Sequence, residues 1–204
     1  PEVSGIPATM SSRVIYTGLP VRAEFLAAAR SPLSHEAKIL VTGGSLGAQI
    51  LDDVVPGAIA AMRNKKVFVT HQTRPENVAR LQKFYADNKI RANVLSFVHD
   101  MAARIIDADL VIGRSGASTV VELQTVGRPA ILVPLGINPD QAANAAAFAK
   151  NGGGFAILQD KFTARWLTAT LDELFNNPLR LDKMAAKAFV PNDAVEKIVA
   201  AVTK

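Results

Sequence analysis

The chain has 204 residues, 49% hydrophobic and 20% charged, with a formal net charge of +5 and no cysteine. That balance excludes a disordered chain, which would be too poor in apolar residues to form a core. The missing cysteines exclude disulfides, thiolate metal sites and cysteine nucleophiles. No apolar run approaches the roughly 20 residues that a membrane-spanning helix needs.

The first segment, Pro1–Ser12, holds Pro1, Gly5 and Pro7 without periodicity and reads as a linker or torn edge; a single domain is expected over 13–204. Strand-type apolar runs follow at Val14–Thr17, Lys38–Thr42, Val67–Thr70, Ala92–Ser96, Leu110–Gly113, Ala130–Val133 and Phe155–Leu158. They are continuous rather than alternating, as in strands covered on both faces. Helix-type segments lie between them at Val21–Ala29, Gly47–Met62, Pro75–Asp87, Met101–Ile106, Ala117–Thr125 and Gln141–Lys150, and Thr163–Thr203 is almost wholly helical. Strand–helix alternation with short loops predicts an α/β fold: a Rossmann-like open parallel sheet with helices on both faces and a helical tail. Ligands of such sheets bind beyond the carboxyl ends of the strands. That rule selects the loops after Thr42, Ser96, Gly113 and Val133.

Three of these loops have residues suited to a ligand. Thr42-Gly43-Gly44-Ser45-Leu46-Gly47-Ala48-Gln49 opens a helix after a strand. Its glycines allow a sharp turn and close backbone approach, and helix-start amides attract anions. It lacks the Lys-Ser/Thr of a P-loop and the full dinucleotide fingerprint, so a plain tight turn stays open. Gly113-Arg114-Ser115-Gly116-Ala117-Ser118-Thr119 places small residues and hydroxyls at the next helix start, where amides can cradle a diphosphate. Glu122, about one turn further on, can accept hydrogen bonds from ribose hydroxyls, or it can simply favour the helix dipole. In Pro134–Asn144, the polar side chains of Asp140, Gln141 and Asn144 share one helical face and suit sugar hydroxyls; the alternative is Asp140 as a cap with surface neighbours.

Other features point to structure. Asp107-Ala108-Asp109 has the form of a D-x-D metal motif, but its place before an apolar strand favours a turn. His35, His71 and His99 have neither metal-ligand spacing nor a recognisable triad, and Trp166 reads as a packing residue. With 6% aromatic residues and no basic–aromatic stripe, nucleic acid is not an expected partner.

The ordered set Thr17-Gly18-Leu19-Pro20-Val21-Arg22, Gly43-Gly44-Ser45-Leu46-Gly47-Ala48, Phe97-Val98-His99-Asp100-Met101, Arg114–Thr119 with Glu122, and Asp140-Gln141-Ala142-Ala143-Asn144-Ala145 resembles the MurG family of N-acetylglucosaminyltransferases. These add N-acetylglucosamine to the lipid-linked muramyl-pentapeptide of peptidoglycan synthesis. The resemblance covers nearly the whole chain, but only the carboxyl-terminal, donor-binding half of that family. It implies a GT-B carboxyl-terminal domain that binds UDP-N-acetylglucosamine for an inverting transfer without metal or cofactor. The acceptor domain, with the catalytic base, lies outside these residues, so no catalytic residue is expected here and the chain alone is expected to be inactive.

By position, the resemblance puts Arg22 and Ser45 near the uracil end or the hinge, and has the backbone of Val98 read the uracil. Ala117, Ser118 and Thr119, beside Ser115, take the diphosphate; Glu122 takes the ribose; Asp140 and Gln141 reach the sugar, with Asn144 in support. It also implies a cytoplasmic enzyme, peripheral on the inner membrane face, where the basic charge suits an anionic surface. Departures are a short Gly136–Pro139 segment, Asp140 for a usual His, Leu46 for a common Gln and Leu19 for a common Asn. A UDP-N-acetylglucosamine 2-epimerase, another GT-B enzyme and a non-catalytic nucleotide-sugar-binding module remain as alternatives.

Overall fold

The structure, a computed structural model, describes residues 14–28, 36–44, 46–63 and 66–203. Pro1–Ser12 and Ser45 lie outside them. Six strands form one parallel sheet: β1 (Ala37–Thr42), β2 (Val67–Gln72), β3 (Arg91–Leu95), β4 (Leu110–Gly113), β5 (Ala130–Leu132) and β6 (Gly154–Ala156). Their order is β3-β2-β1-β4-β5-β6, with β1 pairing in parallel to both β2 and β4. Chain order therefore reverses between β1 and β4, and such a reversal opens a crevice beyond the strand ends.

The helices are α1 (Ala23–Leu26), α2 (Gln49–Ala60), α3 (Val78–Asp87), α4 (Met101–Asp107), α5 (Ala117–Thr125), α6 (Pro139–Lys150), α7 (Ala164–Phe175), α8 (Pro178–Ala188) and α9 (Ala194–Val202). Successive strand residues feed two cores, because side chains alternate across a sheet. Ile39, Val41, Val69, Leu110 and Ile112 pack with Leu51, Val55, Leu81 and Leu171 from α2, α3 and α7. Leu40, Val111 and Leu132 pack on the opposite side with Phe25, Ile105, Leu123 and Phe148 from α1, α4, α5 and α6. The continuous apolar strands thus lie between two helical layers, as expected.

Boundaries differ where local chemistry overrides pattern. Val14–Thr17 is not a strand; Ile15 and Tyr16 are exposed, so its β-type composition finds no face to bury. The helix expected at Val21–Ala29 is reduced to the four residues of α1. α2 begins at Gln49 because Gly44 and Gly47 hold positive φ of 75° and 66°, which a helix does not admit. Pro75 opens a 3-10 turn, Pro75–Asn77, ahead of α3. α6 starts two residues earlier than expected, at Pro139, because Asn138 accepts from Gln141 N at 3.0 Å and caps it. The capping role weighed for Asp140 therefore belongs to Asn138.

The tail is helical, and Trp166 is a packing residue, edge-on to Phe155 at 6.0 Å between ring centres. Thr163 accepts from Trp166 N at 3.2 Å and caps α7. Thr163→Ala is expected to cost about 1 kcal/mol, or a fall of about 2–4 °C in Tm for a domain of this size, read by thermal denaturation. At the opposite end of the sheet from the crevice, Asp109 accepts from Lys38 N at 2.8 Å and Asp107 pairs with Lys38 Nζ at 2.6 Å. These contacts fix the turn into β4, as the sequence suggests.

Candidate functional site

Three strand ends surround the crevice. β1 runs into Gly43 and Gly44, where a Cβ on Gly43 would lie 2.3 Å from Ala48 N, so the connection folds back on itself. β4 runs into Arg114–Gly116 and then α5, and β5 into Val133–Asn138 and then α6. The β3–α4 connection starts beside β2, but α4 packs against β1 and α1. Ser96–Asp100 must therefore cross the carboxyl end of the sheet, which carries Val98 over it.

The start of α5 is the anion-receptive feature. Its N-cap is Gly116, which has no side chain to cap with, and no side-chain hydrogen bond caps the helix. The amides of the first turn, Ala117, Ser118 and Thr119, therefore carry the positive end of the helix dipole into the crevice. Ala117 and Ser118 are exposed. Ser115 is fully buried, and its hydroxyl donates to Gln141 O at 2.7 Å. That hydroxyl is engaged in joining the two loops, and so differs from the ligand-facing group expected.

The same staple holds α6. Asn144 Nδ2 donates to Ser115 O at 3.2 Å, and Gln141 Oε1 accepts from Leu135 N at 3.0 Å. Asp140 is exposed in the first turn. The short Gly136–Pro139 segment closes as a turn, with Asn138 N bonded to Leu135 O at 2.9 Å. Arg114 adds a second brace: its Nη1 donates to Val133 O at 2.9 Å and Pro134 O at 3.2 Å.

Glu122 lies on the flank of α5 with its side chain 17% exposed, 3.3 Å from Arg22 Nη2. Burial pushes its carboxyl above the ordinary range, and Arg22 only partly offsets this. Arg22 stands at the start of α1 and also lies over the Phe25 ring at 5.1 Å. The fold thus gathers Arg22, Ser115, Ala117, Ser118, Thr119, Glu122, Gln141 and Asn144 around one helix start. Val98 approaches from a separate loop with its side chain buried.

Sequence reasoning missed the end of β2. That strand runs on through His71 and Gln72, and Gln72 bonds to Thr42 and Gly44 of the first loop. His71 is fully buried between Asp52 Oδ1 at 3.1 Å and Tyr85 OH at 2.9 Å. Thr73 and Asn77 complete the Asp52 shell at 2.6 and 2.8 Å. The available signal was a row of polar residues directly after an apolar run, at the strand end where ligands bind.

Strand order, reversal point and uncapped α5 define a Rossmann-type α/β domain with an anion-receptive crevice. Residues 38–200 match the model of the glycosyltransferase family 28 C-terminal domain, and the chain belongs to that family. The UDP-N-acetylglucosamine–N-acetylmuramyl-(pentapeptide) pyrophosphoryl-undecaprenol N-acetylglucosamine transferase of Methylobacterium sp. (strain 4-46) is 42% identical over 217 aligned positions, covering 100% of this chain and 58% of its own length. The protein of the same description from Mesorhizobium japonicum is 44% identical, over 86% of this chain and 50% of its own length. The chain therefore spans between half and three-fifths of these relatives. The crystal structure of Acinetobacter baumannii MurG superposes with a TM-score of 0.77 at 34% identity, over 85% of this chain and 54% of that one.

Proposed function

We propose that the chain binds UDP-N-acetylglucosamine as the donor half of an inverting glycosyltransferase that adds N-acetylglucosamine to a lipid-linked muramyl-pentapeptide. The carrying observation is the uncapped start of α5 with half-buried Glu122 on the same helix. The names of the relatives supply the sugar nucleotide and the acceptor. Residues 13–204 form the donor domain, and the further length of the relatives supplies acceptor binding and the general base. Work at the inner membrane face as a peripheral enzyme fits the +5 charge. Among the described residues, no helix is long and apolar enough to cross a membrane.

In the transfer, the acceptor hydroxyl gives up its proton to the general base and attacks the anomeric carbon from the face opposite UDP, and the bond from that carbon to the β-phosphate oxygen breaks. Negative charge then grows on the departing diphosphate. The Ala117, Ser118 and Thr119 amides, fixed by the helix, stabilise it without reorganising, which lowers the barrier as well as the ground state. Glu122 holds the ribose hydroxyls, Val98 offers its backbone to the uracil with Arg22 and Ser45 near that end or the hinge, and Asp140 and Gln141 reach the sugar, with Asn144 in support.

Saturation-transfer NMR with UDP-N-acetylglucosamine tests this, with signal expected on the uracil and ribose protons. No transfer at millimolar ligand overturns it. Affinity is also expected to depend on pH. Only the ionised carboxylate of Glu122 accepts from both hydroxyls, and its pKa is raised by burial. Binding should be constant at neutral pH and weaken as pH falls, starting above the range of an exposed glutamate. A pH titration of the UDP-N-acetylglucosamine dissociation constant checks it, because its diphosphate diester, unlike the terminal phosphate of UDP, keeps a constant charge over this range.

A further inference from the structure

We propose that Gln72 is a positioning residue: its carboxamide sets the peptide groups of the glycine turn after β1 and thereby the affinity for the nucleotide, without touching the ligand. The proposal rests on the donor-binding reading above.

Gln72 is the last residue of β2 and only 6% exposed. Its Oε1 accepts from Thr42 Oγ1 at 2.5 Å, and its Nε2 donates to Gly44 O at 3.3 Å. Thr42 Oγ1 in turn accepts from Gly44 N at 3.3 Å. One buried amide on a neighbouring strand therefore holds both the carbonyl and, through Thr42, the N–H of Gly44. Gly44 O also accepts from Gly47 N at 3.0 Å, which closes the turn.

The turn cannot set itself. Gly43, Gly44 and Gly47 offer only backbone groups, and Gly44 and Gly47 take conformations that carry no intrinsic preference over others for glycine. What aims those groups is what bonds to them. The residues flanking Gln72 face the other side of the sheet, where His71 and Thr73 bond to Asp52 in the first turn of α2. Three consecutive residues thus fix both ends of the Gly43–Ala48 connection: Gln72 its turn, His71 and Thr73 its helix.

The test uses Gln72→Leu, which keeps the bulk and removes both bonds, together with Thr42→Val and the double variant, with UDP as the probe. Gln72→Leu should weaken UDP binding roughly tenfold, the equivalent of about one net hydrogen bond, and speed hydrogen exchange at the Gly44 amide. Thr42→Val should do the same to a lesser degree, and the double variant should be no weaker than Gln72→Leu alone, because both act through one chain of bonds. A role confined to folding would lower Tm and leave UDP affinity unchanged in the folded variants; that result overturns the proposal. Should Gln72→Leu fail to fold, Thr42→Val and its Gly44 exchange decide the matter. If the unaltered chain fails to bind UDP, the donor reading falls and the affinity claim with it, while unchanged Gly44 exchange in the variants refutes the brace separately.

Discussion

Glu122→Ala is expected to weaken UDP binding by about 1.5–3 kcal/mol, the usual worth of hydrogen bonds to a charged group, which is roughly 10–150-fold in Kd. Two effects oppose each other. The substitution removes the acceptor of the ribose hydroxyls, and it also frees Arg22, now 3.3 Å from Glu122, to attract the diphosphate. Arg22 has a side chain 49% exposed, and a charge so well solvated is worth at most about 1 kcal/mol. The loss therefore wins. The same exposure leaves Arg22 hydrated after the substitution, so Tm should hardly change. Calorimetric titration with UDP and with its 2′-deoxy counterpart separates the roles. The unaltered chain should prefer the ribonucleotide, and the variant should lose most of that preference. Equal UDP affinity in variant and unaltered chain would remove Glu122 from the ribose site.

The parallel sheet was legible because β1, β2 and β4 are short apolar runs separated by helix-length segments, and because two-sided burial leaves no polar alternation. The start of α5 was legible because backbone-only chemistry marks it at Gly116-Ala117. Two kinds of information were not. Val14–Thr17 has strand composition but no covering layer, and composition does not report what covers a segment. The other kind is pairing at a distance. Ser115 has the look of a ligand hydroxyl until α6 is placed against it, when it donates its hydrogen bond to Gln141 O. Asp52, His71 and Tyr85 are spread over three elements, so no spacing rule connects them. Ending β2 at Thr70 also hid Gln72, although a polar residue at the carboxyl end of a buried strand is what the ligand rule for open sheets directs attention to.

The largest effect on stability is expected at Asp52. Its side chain is 1% exposed and accepts from His71, Thr73 and Asn77. A carboxylate only accepts, so His71 Nε2 donates to Asp52, while His71 Nδ1 pairs with the Tyr85 hydroxyl at 2.9 Å. Both ring nitrogens, the Thr73 hydroxyl and the Asn77 amide thus have partners within this cluster. Burial alone would raise the Asp52 carboxyl, but the hydrogen bonds from His71, Thr73 and Asn77 outweigh it and hold it below the ordinary range. Asp52→Ala leaves the His71 N–H and the Thr73 hydroxyl without their acceptor in the interior, at a cost of about 1–3 kcal/mol each. For a domain of this size the two together are a drop of about 4–24 °C in Tm. Asp52→Asn keeps the shape but presents an amide N–H to one of the donors, and should lose less. The sign with pH follows from the lowered pKa. The stabilisation is fully present above the unfolded carboxylate pKa and fades as pH falls through the lower folded value. Urea denaturation of the unaltered chain and of Asp52→Asn should therefore show their largest difference at neutral pH and a shrinking one in acid. A gap that stays constant down to a pH of about 2 would mean that the carboxylate's charge contributes nothing and that packing alone accounts for the loss.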